Sequence, residues 1–395
     1  MYHLGMRTVA AVTTSRADYS HLFWVLRELD ASPQIQLRLI VAGAHLSPAF
    51  GMTVRQIESD GFVVDSRIEC LLSSDTDVGM AKTIGAATLG LADVLGDMRP
   101  DLLLLIADRY EMLAPAAAAL ALRIPVAHIE GGEVSEGAID HAVRNALTAM
   151  SHVHLTPTET AAQRVVEMGE EAWRVHRVGA PSLDHLQRSA IPDRDAIEKE
   201  LGVLLDPAQV VVATHPVTLA RDTTREADAL FEALAQINRP VVFCFPNSDA
   251  GGHDLIERST AFCAGQADAH LFVNLDPVLY WGVLRHAAVL VGNSSSGIME
   301  APALELPVVN IGMRQQGRER AANVIDVEAT TSAIRAGLDR ALDDEFRPSL
   351  AGMDNPYGDG TAAAQIVRIL ETVPLGEELL LKRAPALAGP KPSDD

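Results

Sequence analysis

Two acidic residues stand where apolar runs of this chain stop: Asp108 in Ile106-Ala107-Asp108-Arg109-Tyr110-Glu111 and Glu130 in His128-Ile129-Glu130-Gly131-Gly132-Glu133. A third, Asp140, follows in Ile139-Asp140-His141-Ala142-Val143-Arg144. A charge at the end of a buried strand is costly unless it is paired or hydrogen-bonded. Three such carboxylates, from three successive strand–helix units, can converge on one point. Clustered carboxylates push their pKa values apart, so one can hold a proton while another is ionised, which is the arrangement general acid–base chemistry needs. Each residue also has a plain structural use. Asp108 can cap the Ala-rich helix that begins near Glu111, and Asp140 and Arg144, four apart on a helix, can form a surface salt bridge. The grouping favours chemistry. The glycine pair after Glu130 is expected to let a ligand approach the backbone.

Other segments suit an anion. Thr13-Thr14-Ser15-Arg16-Ala17-Asp18-Tyr19-Ser20 follows the first apolar run and opens a helix. Backbone N–H groups and the helix dipole favour negative charge there, and Arg16 supplies a fork of donors. The bland alternative is a helix cap made by Asp18, with Arg16 solvated. Arg109, beside Asp108, can pair with a phosphate. His215 in Thr214-His215-Pro216 can act as a donor or acid near a diphosphate. Gly292-Asn293-Ser294-Ser295-Ser296-Gly297 leads from an apolar run into a helix, which reads as a phosphate-binding N-terminus, with Glu300 a turn later placed for ribose hydroxyls. A serine-capped helix with an acidic first turn has the same spelling. Arg314, just after the next apolar run, can close on a nucleotide. There is no GxGxxG and no Walker A lysine, which argues against dinucleotide or ATP binding.

The elements that would carry these residues alternate. In the first half the expected strands are Thr8–Val12, Leu37–Ala42, Phe62–Asp65, Leu102–Ala107, Val126–Ile129 and Val153–Leu155, with helices over Tyr19–Leu29, Val78–Gly96 and Glu111–Leu122. In the second half they are Val210–Thr214, Val241–Phe245, His270–Val273, Val289–Gly292 and Val308–Ile311, with helices over Arg225–Asn238, Pro277–Ala287 and Gly297–Leu304. Such alternation argues for parallel βαβ units. At 395 residues, two domains are expected. Pro181, Pro192 and Pro207 mark Gly179–Leu205 as the linker. The expected division is 1–185, 186–372 with a last helix that crosses back, and a disordered tail over 373–395. The fold class is α/β: two Rossmann-like, doubly wound domains with a ligand cleft between their strand ends.

Composition bounds the rest. Aromatics are only 4% of the chain, so the core must be aliphatic. A net charge of -21 leaves no electrostatic footprint for nucleic acid or an anionic membrane. Three scattered cysteines form no CxxC pair, which fits a reducing cytoplasm and excludes a zinc motif. No signal peptide is read at the N-terminus, and apolar runs such as Leu102–Ala107 and Pro115–Leu122 are too short to span a bilayer.

Taken together, SRADYS, ADRYEML, HIEGGEVSEGAID, THPVT, FPNSDAGG, GNSSSGIMEAPALELPVVNIG and MRQQGRE, spread over Thr8 to Val327, resemble the UDP-N-acetylglucosamine 2-epimerase family. FPN-DAGG and GRE favour its hydrolysing branch. The resemblance implies a glycosyltransferase-B-like fold with no cofactor or metal. The nucleotide would sit on the second domain and the sugar would face the first. By motif, Asp108, Glu130 and Asp140 would be the acid–base carboxylates. Arg16, Ser20, Arg109, His215, Ser294, Ser295 and Arg314 would hold the diphosphate or its surroundings. Asn247 and Glu300 would contact the nucleotide, and Asp184 and His45 would support the sugar pocket. Two positions depart from the family. His21 stands where the animal enzymes of the branch carry a lysine, and His141 replaces the second member of an Asp-Asp pair. SEGAID also resembles relatives acting on diacetamido sugars in legionaminic acid synthesis.

The implied function is a cytoplasmic hydrolysing epimerase, expected as a homodimer. It takes a UDP-linked N-acetylamino sugar, UDP-N-acetylglucosamine first, to UDP and N-acetylmannosamine for sialic-type acids. The alternatives are the same chemistry on a UDP- or GDP-linked diacetamido sugar, a non-hydrolysing epimerase, a two-domain glycosyltransferase and an inactive nucleotide-sugar binder. The proton on carbon 2 is not next to a carbonyl, so the anomeric C–O bond must break first or concertedly. Cations and dipoles on the departing diphosphate and a carboxylate base at the sugar would then give a glycal. Water adds at carbon 1, and a proton returns to carbon 2 on the opposite face.

Overall fold

The computed structural model describes residues 6–384 apart from 73, 75, 137–138, 216–224, 246–251 and 274. Seven parallel strands form the first sheet: β1 (Arg7–Thr13), β2 (Ile35–Ala42), β3 (Val64–Ile68), β4 (Leu102–Ile106), β5 (Val126–Ile129), β6 (Val153–Thr156) and β7 (Val175–Arg177), in the order β3-β2-β1-β4-β5-β6-β7. Six form the second: β8 (Val210–Ala213), β9 (Val241–Phe245), β10 (Ala269–Val273), β11 (Val289–Gly292), β12 (Val308–Ile311) and β13 (Val324–Val327), in the order β10-β9-β8-β11-β12-β13. Every strand pair is parallel. The strands read as continuous aliphatic runs because helices cover both faces: β4 is Leu-Leu-Leu-Leu-Ile, with every side chain buried. β7 and β13 are strands the sequence reading missed. Both lie at a sheet edge, where VHR and VIDV show no uninterrupted apolar run.

Strand order reverses between β1 and β4 in one sheet and between β8 and β11 in the other. At such a switch point neighbouring connections leave in opposite directions and open a crevice at the strand C-termini. The loops after these four strands carry Arg16, Asp108, His215 and Ser294.

The helix Arg16–Ala31 buries Tyr19, Leu22, Val25, Leu26 and Leu29, a stripe at helical spacing. Its N-cap is Ser15, which accepts the Asp18 N–H, so Asp18 is not the cap. Asp18 instead accepts from Thr14 N at 3.1 Å and Thr14 Oγ1 at 2.5 Å, which stiffens the turn. The helix Asp77–Met98 corrects the reading that no stretch is long enough to span a bilayer. By length and composition it could, with mean hydropathy 1.3 over its most apolar window. It is the helix expected over Val78–Gly96, and its Gly and Ala break it into short apolar runs. It packs on the helix Leu113–Leu122 and on β3, with 28% of that window buried.

The expected linker is not a plain connector, since it holds the helices Asp184–Arg188 and Arg194–Leu201. The chain crosses back near Tyr357, where Ala180 N donates to Tyr357 O at 2.8 Å and ties the two crossings together. The helix Ala362–Thr372 then joins the first core through Ala362, Ala363, Ile366, Val367 and Leu370. The tail reading is corrected for its first part. The helix Glu377–Leu380 buries Leu379 completely, and Lys382 Nζ meets Glu170 at 2.5 Å and the carbonyls of Ala149 and Ser151 at 2.8 and 2.9 Å. The low complexity of Lys382–Asp395 had spread the expectation of disorder too far toward the N-terminus.

Candidate active site

The two carboxylates that end β4 and β5 come together. Glu130 lies close enough to feel the charge of Asp108. Ala107 (φ 57) and Glu130 (φ 64) are both left-handed, an uncommon conformation for non-glycine residues. This strain turns the chain out of the sheet at the point where each acid must project, and it persists only where surrounding bonds enforce it. Those bonds are present: Ala107 N donates to Ile129 O and Glu130 N to Leu155 O, each at 2.9 Å. His128 Nε2 donates to Ala107 O at 2.7 Å.

Arg144 pairs with Asp108. Its side chain is 3% exposed, and its terminal nitrogens also reach Ser135 Oγ at 3.2 Å and Glu133 O at 3.0 Å. Burial alone would raise the Asp108 pKa. The guanidiniums of Arg144, Arg318, Arg314 and Arg109 outweigh it and hold the carboxyl below its ordinary range. Asp140 sits half-buried in the first turn of the helix Ile139–Met150, one turn before Arg144.

His21 meets Glu130 across the loop, Nδ1 to Oε1 at 3.0 Å. Burial works against the imidazolium, yet Glu130, then Glu300 and Asp18, raise its pKa to about 9. Glu130 moves the other way: burial would raise it, and His21 brings it below the usual range. Glu300 is raised, chiefly by burial, with His21 and Ser182 opposing. Its Oε1 accepts Ser182 Oγ at 2.5 Å, and the residue is 4% exposed. Two neighbouring carboxylates are thus pushed apart, one toward the ion and one toward the acid, with an imidazolium beside both.

The residues expected to hold the anion lie mostly on the second domain. Ser294 and Ser295 are part-exposed at the end of β11, before a helix of one turn, Ser296–Met299. Ser294 Oγ and Ser296 Oγ are 3.0 Å apart, and Ser296 Oγ meets Tyr280 OH at 2.7 Å. Asn293 locks the two strand ends together: its Oδ1 accepts His215 N at 2.7 Å and its Nδ2 donates to His215 O at 2.9 Å. Arg314 Nη1 donates to Asn293 O at 3.0 Å while its charge reaches Asp108, so it stands between the serine turn and the acids. Arg16 reaches over to the second domain, with Nη2 3.4 Å from Leu275 O. Arg109 pairs with buried Glu111 at 3.0 Å. Ser20 is part-exposed, and its carbonyl accepts from His185 Nε2 at 2.9 Å.

Three expectations need correction. Asp184 does not face a sugar pocket. It is 1% exposed, and its two oxygens accept Ala362 N at 3.0 Å and Ala363 N at 3.2 Å, capping the returning helix. His45 is a core residue, 0% exposed between Thr13 Oγ1 at 2.9 Å and Thr53 Oγ1 at 2.7 Å, and burial lowers its pKa to about 3. The glycines after Glu130 serve the protein's own packing rather than ligand approach. A Cβ at Gly131 would meet His128 Nδ1 at 3.1 Å, and one at Gly132 would collide with the Ala161 carbonyl. Asn247 lies outside the described residues.

The sequence reading also passed over residues the site uses. The Arg144–Asp108 pair is not legible from helical spacing, which shows only partners on the same helix. Glu133, Ser135, Asn293, Arg318 and Tyr357 were not singled out. In GRE, an arginine after a glycine in a loop beyond a strand end is the sequence signal for Arg318.

Two doubly wound parallel sheets whose switch points carry acids in the first and an arginine- and serine-bearing turn in the second make a two-domain, glycosyltransferase-B-like fold. Comparison with known proteins narrows this. The profile described as UDP-N-acetylglucosamine 2-epimerase matches residues 27–371, and the chain belongs to that family; it is an enzyme with nucleotide-sugar 2-epimerase activity. It is 38% identical over 95% of its length and 99% of the relative to a Legionella pneumophila protein named UDP-N,N'-diacetylbacillosamine 2-epimerase (hydrolyzing). It is 34% identical to a Campylobacter jejuni protein named GDP/UDP-N,N'-diacetylbacillosamine 2-epimerase (hydrolyzing), over 82% of this chain and 85% of that one. In fold it resembles the Neisseria meningitidis UDP-GlcNAc 2-epimerase bound to UDP-GlcNAc, with TM-score 0.78 and 19% identity over 92% of this chain and 99% of that one.

Proposed function

We propose that the chain is a hydrolysing 2-epimerase of a UDP-linked diacetamido sugar, releasing UDP and the free sugar inverted at carbon 2. One observation carries the chemistry: Asp108 and Glu130, adjacent at two strand ends, are kept ionised by arginines and His21, while Arg314 joins the serine turn to the same acids. Arg16, Arg314, His215, Ser294 and Ser295 take the charge that develops on the diphosphate as the anomeric bond breaks. Glu130 or Asp108 removes the carbon-2 proton, with Asp140 as the partner acid. Positive charge at carbon 1 makes that proton acidic, and the glycal forms with UDP as leaving group. Water then adds at carbon 1, and a proton returns to carbon 2 on the other face. The sugar assignment rests on the two hydrolysing diacetylbacillosamine relatives.

UDP-N-acetylglucosamine, giving N-acetylmannosamine, is the second reading, favoured by the family's own description and by the motif set. The enzyme acts as a cytoplasmic homodimer on either reading. Incubation with each UDP-sugar in deuterated water tests the proposal. The expected result is free UDP and free inverted sugar carrying one deuterium at carbon 2, faster from the diacetamido substrate. An inverted sugar still linked to UDP would mean the non-hydrolysing reaction. Turnover only with an added acceptor would mean a transferase, and no turnover of either sugar would sink the reading.

A further inference from the structure

Arg318, in the Gly317-Arg318-Glu319 segment beyond β12, reaches from the second domain into the acidic loop of the first. Its side chain is 7% exposed. Nε donates to Val134 O at 2.8 Å and lies 3.4 Å from Glu133 Oε2, and Nη2 donates to Ser135 Oγ at 3.2 Å. The same Ser135 oxygen faces both terminal nitrogens of Arg144, and Arg144 holds Asp108. One hydroxyl therefore joins a guanidinium of the second domain to the guanidinium that grips a candidate catalytic carboxylate. Tyr357 adds a second tie, its hydroxyl 3.1 Å from Glu133 Oε2 and 3.3 Å from Glu319 O. Gly317 (φ 82) lets the two loops press together, since a Cβ there would lie 3.2 Å from Val134 Cγ1.

A buried guanidinium is tolerated only with its partners in place, and its oxygen partners Val134 O, Glu133 and Ser135 belong to the other domain, while Nη1 meets Met299 Sδ of its own at 3.5 Å. The contact therefore forms or breaks with the relative position of the domains. The loop it grips begins at strained Glu130, whose conformation needs external support.

We propose that Arg318 is a positioning residue: docked on Glu133, Val134 and Ser135, it fixes the acidic loop, and through Ser135 and Arg144 the Asp108 carboxylate, in the reacting arrangement only while the second domain is seated on the first. The inference rests on the assignment of the chemistry to these carboxylates. Other charges face the loop from every side: Arg144 from its own helix, Arg164 on the Gly132 carbonyl, His21 on Glu130, and Arg314 and Arg109 near Asp108. Loss of Arg318 therefore shifts the ionisation of the acids without abolishing it.

The test uses the full chain with Arg318→Gln and Arg318→Lys. In hydrogen–deuterium exchange, peptides covering 130–136 are expected to exchange about fivefold faster in Arg318→Gln, with β4 and β11 peptides unchanged. In turnover, kcat falls about tenfold or more while calorimetric affinity for UDP stays within about twofold, and Arg318→Lys recovers part of the loss. The acidic limb of the kcat profile moves up by about one pH unit, because a positive charge near the carboxylates is gone. Unchanged loop exchange, or an unchanged kcat, overturns the proposal. A matching loss of UDP affinity does so too, because it would make Arg318 a nucleotide ligand. If Arg318→Gln does not fold, Ser135→Ala, which cuts the link to Arg144, gives the same two readouts. A wild-type protein that releases no UDP from either sugar removes the catalytic half along with the function proposed above, and the exchange result alone then decides the docking half.

Discussion

At the scale of single residues, the site depends on opposed pKa shifts within one hydrogen-bonding distance. His21 is raised to about 9 and Glu130 lowered, so both are charged from the acid side of neutrality up to about pH 9. A histidine whose folded pKa is raised contributes stability that is complete below its unfolded value, near 6.5, and is lost as pH rises through about 9. Relative to His21→Gln, the wild type should lose thermal stability between those values, and melting curves across that range check it. The alkaline limb of kcat/KM should likewise flatten in His21→Gln. An alkaline limb identical in both proteins would show that another group titrates there. For Asp108→Asn, kcat is expected to fall about 10²–10⁴-fold, the usual loss on removing a general acid–base group. Stability should fall as well, by about 3 kcal/mol, because Arg144 keeps its buried charge without an ionised partner. Single-turnover kinetics and denaturant melts separate the two effects.

Among the elements, the returning helix Ala362–Thr372 shows how a site residue was misread. Asp184 sits near motif residues in sequence, but its geometry is that of a cap: two oxygens on the first two N–H groups of a helix that starts 178 residues later. Asp184→Ala should destabilise the fold by about 1–2 kcal/mol, the usual cost of removing an N-cap. Its kcat should stay within about twofold, since a carboxylate whose oxygens are taken up by a helix cap does not add to transition-state binding. A fall in kcat at full stability would return Asp184 to the sugar pocket. The same scale explains the glycine pair. Gly131 and Gly132 are required by His128 and by the carbonyl of Ala161, so the loop is shaped from behind by the fold.

Over the whole molecule, the first core is made from two distant stretches of chain. Ile366, Val367, Leu370, Val373 and Leu379 belong to the same cluster as β1 and β4. At about 1.5–3 kcal/mol for each buried aliphatic side chain, removing these five costs as much as the whole ~5–15 kcal/mol by which a domain is stable. Residues 1–178 alone should therefore be unfolded by circular dichroism, and linking 362–384 to them should restore a cooperative melt. A folded 1–178 fragment would contradict the shared core. This double crossing also keeps Arg318 within reach of the acidic loop, because the second domain is tethered on both sides.

What the sequence determined by itself was periodic or local. Aliphatic runs of four to eight residues, separated by helical patterns, specify buried parallel strands, because period and length are set by neighbours along the chain. The position of an acid or a serine at the end of such a run follows in the same way, and so Asp108, Glu130, His215 and Ser294 were legible. Edge strands β7 and β13, buried less uniformly, were not. Tertiary structure alone decided which charge meets which. Helical spacing suggested Asp140 for Arg144, and the fold supplied Asp108, 36 residues away. His21 found Glu130 across 109 residues, and Arg318 found Ser135 across 183. Long-range electrostatics depends on distances through space, and those exist only once both sheets have formed and the chain has crossed between them twice.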